Sequence, residues 1–352
     1  MTMGALILIT ALVAACGGTP VASPSSRPDT TRAPANTGAS QPSAAKSTAL
    51  KNVSFRLDYI LGDYEVPTVL AKANGYYRDE GLNVSIGEGK GSASTIELVA
   101  QGHDDFGLAD AATTALSISK GVPVITIATF IQETPDAFIV HDPSQAINRP
   151  EDLIGKSIIQ TPGGSTFTLL PAVLHGSGVR LSDLKIVTVA PGDKYSAFLT
   201  TPNSVYTGYY PDDLIKLREQ DPQATSTSFA KFGVNPLSVN LVTSLSMVKD
   251  HPDTVRAFVA AAVKGYEAAQ RDPAAAIAAG RAEFPDALVS TDGLKAALTM
   301  LHSPATQGKP IGWMAADDWR ETVDLMHQYG GLKTVKPLEE YYTNAFIPGG
   351  TS

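Results

Sequence analysis

From Val53 onward the hydrophobic pattern alternates between short β-rich runs and stretches with helical spacing. Val53–Ile60 predicts a strand, Val66–Asp79 a helix stopping at Gly81, Leu82–Ile86 a strand, and Ser92–Gln101 a helix ending at Gly102. Phe106–Ala109, Ala111–Lys120 and Val122–Thr129 continue as strand, helix and strand. After Phe138–Val140 the pattern restarts. Pro150–Leu153 predicts a helical turn, Ser157–Gln160 a strand, and Thr161–Thr166 a loop entering a helix near Phe167–His175. Ile186–Val189 and Ser204–Tyr209 predict strands, with helices from Lys194 and Pro211. Ser238–Thr243 predicts a strand that returns to the first half, and from Asp253 the chain is helix-rich. Strands of this length between helices of about 10–15 residues imply βαβ units around a largely parallel sheet. The expected architecture is α/β with two lobes: 52–142, then 143–236, then 237–352 returning to the first lobe with C-terminal helices.

The N-terminal pattern differs. Ala5–Ala15 reads ALILITALVAA and is followed by Cys16-Gly17-Gly18. Eleven apolar or small residues are too short for a mature membrane span, which takes about 20, and suit the apolar region of a signal peptide. Val13-Ala14-Ala15-Cys16 looks like a bacterial lipobox, so residues 1–16 are expected to be a lipoprotein signal and Cys16 the lipidated residue. Met1–Gly4 has no Lys or Arg, where such a signal expects a positive charge. Gly17 to Lys51 is rich in Pro, Ser, Thr, Ala and Gly without apolar periodicity. It is expected to be a disordered tether with a reach of about 30–35 Å. These readings place the domain outside the cytoplasm, held to the cell membrane by lipid.

Composition narrows the partners. The 352-residue chain carries a net charge of −8 with its acidic residues dispersed. This argues against nucleic acid, which needs a basic footprint. A single cysteine excludes internal disulfides and cysteine-rich metal sites. The six histidines show no metal spacing such as HExxH, and neither a GxSxG nor a P-loop appears. Hence no catalytic residue, metal or cofactor is expected.

Candidate ligand residues lie where strands lead into helices, since open α/β sheets bind ligands at the carboxyl ends of strands. Gly89-Lys90-Gly91-Ser92 and Gly163-Gly164-Ser165-Thr166 each precede a helix and offer backbone N–H groups and hydroxyls, from Gly91 and Ser92 on one side and Gly164, Ser165 and Thr166 on the other. Routine N-capping by Ser92 and Ser165 is the competing role. Tyr59, Tyr64, Tyr209 and Tyr210 stand at strand ends or helix starts, where a tyrosine can stack on a flat ring and bond its edge, or simply pack. Asp63, Asp110 and Asp212 could accept a bond from a ring amine or cap helices, and Gln132 is a further polar candidate.

Several ordered segments carry a family resemblance. Ala71-Lys72-Ala73-Asn74-Gly75-Tyr76-Tyr77-Arg78-Asp79-Glu80-Gly81-Leu82-Asn83-Val84 resembles an AKxxGYFxxEGLxV signature. Gln101–Gly107, Gly121-Val122-Pro123-Val124 and Asp152–Ile158 resemble elements that follow it in order. Gly312-Trp313-Met314, Trp319 and Tyr342–Pro348 resemble the pyrimidine-binding branch. Together they resemble the thiamine-pyrimidine-synthase-like family of solute-binding proteins, whose relatives carry nitrate, sulfonates, taurine and thiamine pyrimidine precursors. That branch favours Trp, Asn and His where this chain has Tyr59, Gly62 and Glu65. The resemblance implies a periplasmic-binding-protein type II fold, a flytrap with its ligand in the cleft between lobes. It also implies a monomeric importer component that works with an ABC permease and its ATPase. With the aromatics and carboxylates above, it points to a heterocycle like a thiamine pyrimidine precursor. The alternatives are a sulfonate, taurine or nitrate carrier, or a sensor domain of the same fold. Relatives that synthesise the pyrimidine carry a cysteine-rich motif, which one cysteine cannot supply.

Overall fold

The computed structural model describes residues 49–210 and 212–350. Cys16, the proposed signal and most of the proposed tether lie outside them. The described residues form ten strands: β1 (Lys51–Arg56), β2 (Leu82–Gly87), β3 (Phe106–Asp110), β4 (Val124–Thr129), β5 (Asp136–Val140), β6 (Ser157–Gln160), β7 (Lys185–Thr188), β8 (Ser204–Tyr209), β9 (Thr225–Ser228) and β10 (Val239–Ser244). They make two five-stranded sheets, ordered β2-β1-β3-β10-β4 and β7-β6-β8-β5-β9.

Both sheets are mixed, which corrects the expectation of a largely parallel one. β1 pairs in parallel with β2 and β3, whereas β10 is antiparallel to both β3 and β4. In the second sheet β6 is parallel to β7 and β8, while β5 is antiparallel to β8 and β9. The reversed strands are the two by which the chain changes sheets. β5 belongs to the second sheet, so the chain passes over before Asp136, earlier than the expected limit at 142. β9, Thr-Ser-Thr-Ser, is an edge strand without an apolar run, and the hydrophobic pattern had no means of marking it.

The first sheet is anchored by an aromatic stack. Phe258, on the helix Pro252–Arg271, lies 4.0 Å from the Phe106 ring, 4.9 Å from Tyr77 and 5.2 Å from Phe55, centroid to centroid. The same helix meets Val66–Ala73 so closely that a Cβ on Gly265 would fall 2.3 Å from the Pro67 carbonyl oxygen. Near the C-terminus, Trp319 is fully buried and stacks 5.5 Å from Tyr342, and the following backbone bonds to β4 through Thr126 and Thr343.

The expected helix Val66–Asp79 is two pieces, Val66–Ala73 and Tyr76–Asp79, parted at Gly75 with φ +77°. The expected strand Val53–Ile60 also stops early, at Arg56. There the Asp58 N–H turns to the Glu65 carboxylate and Gly89 donates to the Tyr59 carbonyl, so residues 57–62 leave the sheet and become a wall.

Candidate functional site

A cavity of about 430 Å³ opens at the carboxyl ends of β1 and β8, lined from both sheets. Of the residues singled out in the sequence, Tyr59, Tyr64, Gly91, Ser92, Gly164, Ser165, Thr166, Tyr209 and Asp212 line it.

The two glycine-rich loops meet at its edge. Gly91 adopts φ +124°, a region open to glycine alone, and a Cβ there would lie 3.0 Å from the Gly163 carbonyl oxygen. Ala93 donates its N–H to that carbonyl at 3.4 Å. Neither serine caps its own helix. The helices Ser92–Ala100 and Ser165–Leu174 both start from a glycine N-cap without a side-chain bond. Ser92 Oγ instead accepts from the Asp110 N–H at 3.0 Å and reaches Asp58 at 3.4 Å, and Ser165 Oγ donates to the Tyr209 hydroxyl at 3.1 Å. Two helix N-termini without side-chain caps therefore stand at the cavity, as partial positive poles.

Tyrosines bridge the two sides. Tyr64 and Tyr209 pack with centroids 5.1 Å apart, and the Tyr209 hydroxyl also accepts from Ser238 at 3.2 Å. The Tyr59 hydroxyl is 2.9 Å from Thr161 Oγ1. Burial pushes the Tyr59 and Tyr209 hydroxyls up, so both stay neutral donors.

The other candidates lie outside the cavity lining, each for a stated reason. Asp63 is fully buried and accepts from the Ser290 N–H at 2.6 Å, which fixes the start of the helix Thr291–Leu298. Asp110 caps Ala111–Ser119 through the Thr113 N–H at 3.0 Å. Gln132 spends its amide on the carbonyls of Thr129 and Trp313 and its oxygen on Ser303 and Thr306, tying the C-terminal segment to β4. Tyr210 packs half-buried against the first core while its N–H bonds Pro135. The alternation of β8 turns its neighbour Tyr209 inward instead.

Several lining residues went unmarked in the sequence: Asp58, Thr161, Lys194, Tyr195, Tyr206, Asp213 and Lys216. Asp58 was hidden in an apolar run read as strand. Lys194 was not, since it opens a helix just after β7, where the strand-to-helix rule that marked the other loops also applies. Its ammonium bonds the Thr207 carbonyl and lies 4.5 Å above the Tyr206 ring and 5.9 Å above Tyr59. Burial lowers its pKa, with Asp213 and Asp136 opposing. Asp213 accepts from the hydroxyls of Tyr195 and Tyr206 and from the Tyr209 N–H, and so fixes the ring orientation of this wall. Asp212 pairs with Lys216 one turn along its helix. The segment Glu283–Leu288 forms the rim, with Leu288 60% exposed.

Comparison with known proteins bears on the family and the fold. The model of the family described as NMT1/THI5 like matches residues 64–276. The riboflavin-binding protein RibY of Chloroflexus aurantiacus is 26% identical over 364 residues, spanning 100% of this chain and 98% of that protein. The formylaminopyrimidine-binding protein of Halalkalibacterium halodurans is 22% identical over 308 residues, 86% of this chain and 92% of that one. Among solved structures, the alkanesulfonate-binding protein SsuA of Xanthomonas axonopodis pv. citri, bound to MOPS, superposes with a TM-score of 0.59 at 17% identity, over 87% of this chain and 98% of that one. That likeness establishes the periplasmic-binding-protein fold.

Proposed function

The chain belongs to the NMT1/THI5-like family, and from that premise we propose that it is the extracytoplasmic solute-binding component of an ABC importer, that it captures a flat nitrogen heterocycle by lobe closure, and that it does not transform it. One observation carries the ligand reading. The cavity between the sheets is walled by Tyr59, Tyr64, Tyr195, Tyr206 and Tyr209. Such walls suit a planar ring, whose faces stack while phenol hydroxyls and serines bond its edge. The relatives named for riboflavin and for formylaminopyrimidine are consistent with a ring ligand of this kind. A thiamine pyrimidine precursor is one member of that class and riboflavin another.

Closure follows from the two-sided lining. A ligand held by both walls binds the closed state better than the open one, and that difference drives the motion. A lipid at Cys16 would hold the domain near its permease, and the segment from Gly17 would serve as the tether.

A second reading has its own support. The two helix N-termini without side-chain caps and Lys194 could receive a sulfonate, taurine or nitrate, and SsuA shares the fold. Thermal-shift screening decides between them, because a ligand at 100 times its Kd stabilises by about 2.7 kcal/mol. Shifts with riboflavin or aminopyrimidines and none with alkanesulfonates are expected. Shifts with sulfonates alone would overturn the heterocycle reading.

A further inference from the structure

The acids first expected to meet a ring amine are placed otherwise: Asp63 and Asp110 lie outside the cavity lining, bonded through Ser290 and through one oxygen to a helix cap, and Asp212 is paired with Lys216. Asp58 is different. It lines the cavity and is only 4% exposed. Its carboxyl receives two long hydrogen bonds, from the Tyr64 hydroxyl at 3.2 Å and Ser92 Oγ at 3.4 Å, and a third from the Glu65 carboxyl. A carboxylate has about four lone-pair positions, so acceptor capacity is left over.

Behind it stands Glu65, fully buried and held by the N–H groups of Asp58 at 3.2 Å and Gly62 at 2.9 Å. The other titratable groups around Asp58 are Tyr59, Tyr64, Tyr209, Tyr266 and Asp110. None is a cation. Among the described residues, no Lys or Arg pairs with Asp58 or Glu65. Two adjacent buried carboxyls cannot both ionise cheaply, and burial raises both so that the pair retains a proton. Any charge the pair carries lacks a Lys or Arg counter-ion among the described residues, which costs free energy that a donor outside the chain can recover.

We infer that Asp58 is the specificity-determining residue of the cavity: it accepts a hydrogen bond from an N–H edge of the ligand, so the site selects amino- or imide-bearing heterocycles and rejects sulfonates and other anions. Glu65 acts through Asp58, as a positioning residue that fixes its backbone. The inference rests on the cavity being the solute site. It goes beyond that reading by naming the edge chemistry the solute must present. An anion placed against Asp58 meets another acceptor and no donor from it. A ring amine there supplies the missing donor, and the aromatic walls hold its faces.

The test is a chemical double-mutant cycle read by calorimetry. The wild-type protein and Asp58→Asn are titrated with 4-amino-2-methylpyrimidine and its isostere 2,4-dimethylpyrimidine, and with riboflavin and 3-methylriboflavin, in which the ring N–H is blocked. Thermal unfolding of each protein confirms folding. Asn keeps the size of Asp and removes its charge. For whichever ring binds the wild type, the donor-bearing form is expected to bind about 30-fold more tightly than its blocked partner, as a charged hydrogen bond implies. In Asp58→Asn that preference is expected to fall to within about threefold. A wild-type protein that binds a ring without preferring its donor form, or a variant that keeps the preference, overturns the inference and leaves the heterocycle reading standing. Should Asp58→Asn fail to fold, the wild-type pair alone decides. A wild-type protein that binds an alkanesulfonate and neither ring overturns both.

Discussion

The hydroxyl of Tyr59, from the first sheet's side, meets Thr161 Oγ1, from the second sheet's side, at 2.9 Å. This bond spans the cavity edge and exists only while the two sides are together. Tyr59→Phe keeps the ring and removes the bond. A net loss of about 1 kcal/mol is expected, seen as about fivefold weaker ligand binding in calorimetry with the fold intact.

Tyr209 and Tyr210 are neighbours with different fates. The Tyr209 hydroxyl accepts from Ser165 and Ser238, and the residue lines the cavity. Tyr209→Phe is expected to weaken ligand binding by about 1–2 kcal/mol, since two buried hydroxyls lose their acceptor. Tyr210→Ala is expected to leave affinity unchanged and to lower thermal stability modestly. Titrating both variants with the same ligand checks the contrast.

Gly91→Ala places a Cβ at φ +124° and 3.0 Å from the Gly163 oxygen. A cost of about 1–3 kcal/mol is expected from the backbone alone. Because the displaced partner belongs to the other loop, ligand affinity should fall together with the midpoint of denaturant unfolding. Gln132→Ala is the matching control. It removes buried bonds to Trp313, Ser303 and Thr306, so stability should drop by about 1–3 kcal/mol with affinity preserved.

Burial pushes the Asp110 carboxyl up to about 7, and its Oδ2 has no partner. The folded state therefore keeps a proton that the unfolded chain releases above about pH 4. Its contribution to stability is present below that point and is lost as pH rises towards 7. Asp110→Asn retains the capping oxygen and cannot ionise. The variant is expected to gain on the wild type from about pH 4 upward and to hold a constant advantage above about pH 7. Denaturant melts across that range read the difference directly.

Much of the fold was legible in the sequence because it rests on local pattern. Strands such as Ser157–Gln160 and Ser204–Tyr209 have the predicted bounds, since buried runs between turn residues leave little choice. The glycine loops before Ser92 and Ser165 were legible for the same reason, as strand-to-helix junctions. β9 was not, because a polar edge strand is defined by its neighbour and not by its own residues. Asp58 was missed because an apolar run does not show where it leaves a sheet. That exit depends on Glu65 and Gly89, 7 and 31 residues away in number.

What the sequence determined by itself was the alternation of strands and helices, the division into two halves, the family resemblance and the set of loops from which a site could be made. These follow from periodicity and turn chemistry, which act over a few residues. What only the tertiary structure decided was which polar groups remain available. Asp63 and Gln132 matched the right residue types, yet each is consumed by a partner that folding brings to it, whereas Asp110 caps its own helix as its position allowed. Asp58 was unremarkable in the chain and stands at the cavity because β1 ends before it and the chain turns there into the wall. Most buried polar groups are satisfied, and which groups keep acceptor or donor capacity to spare is a property of the packed whole.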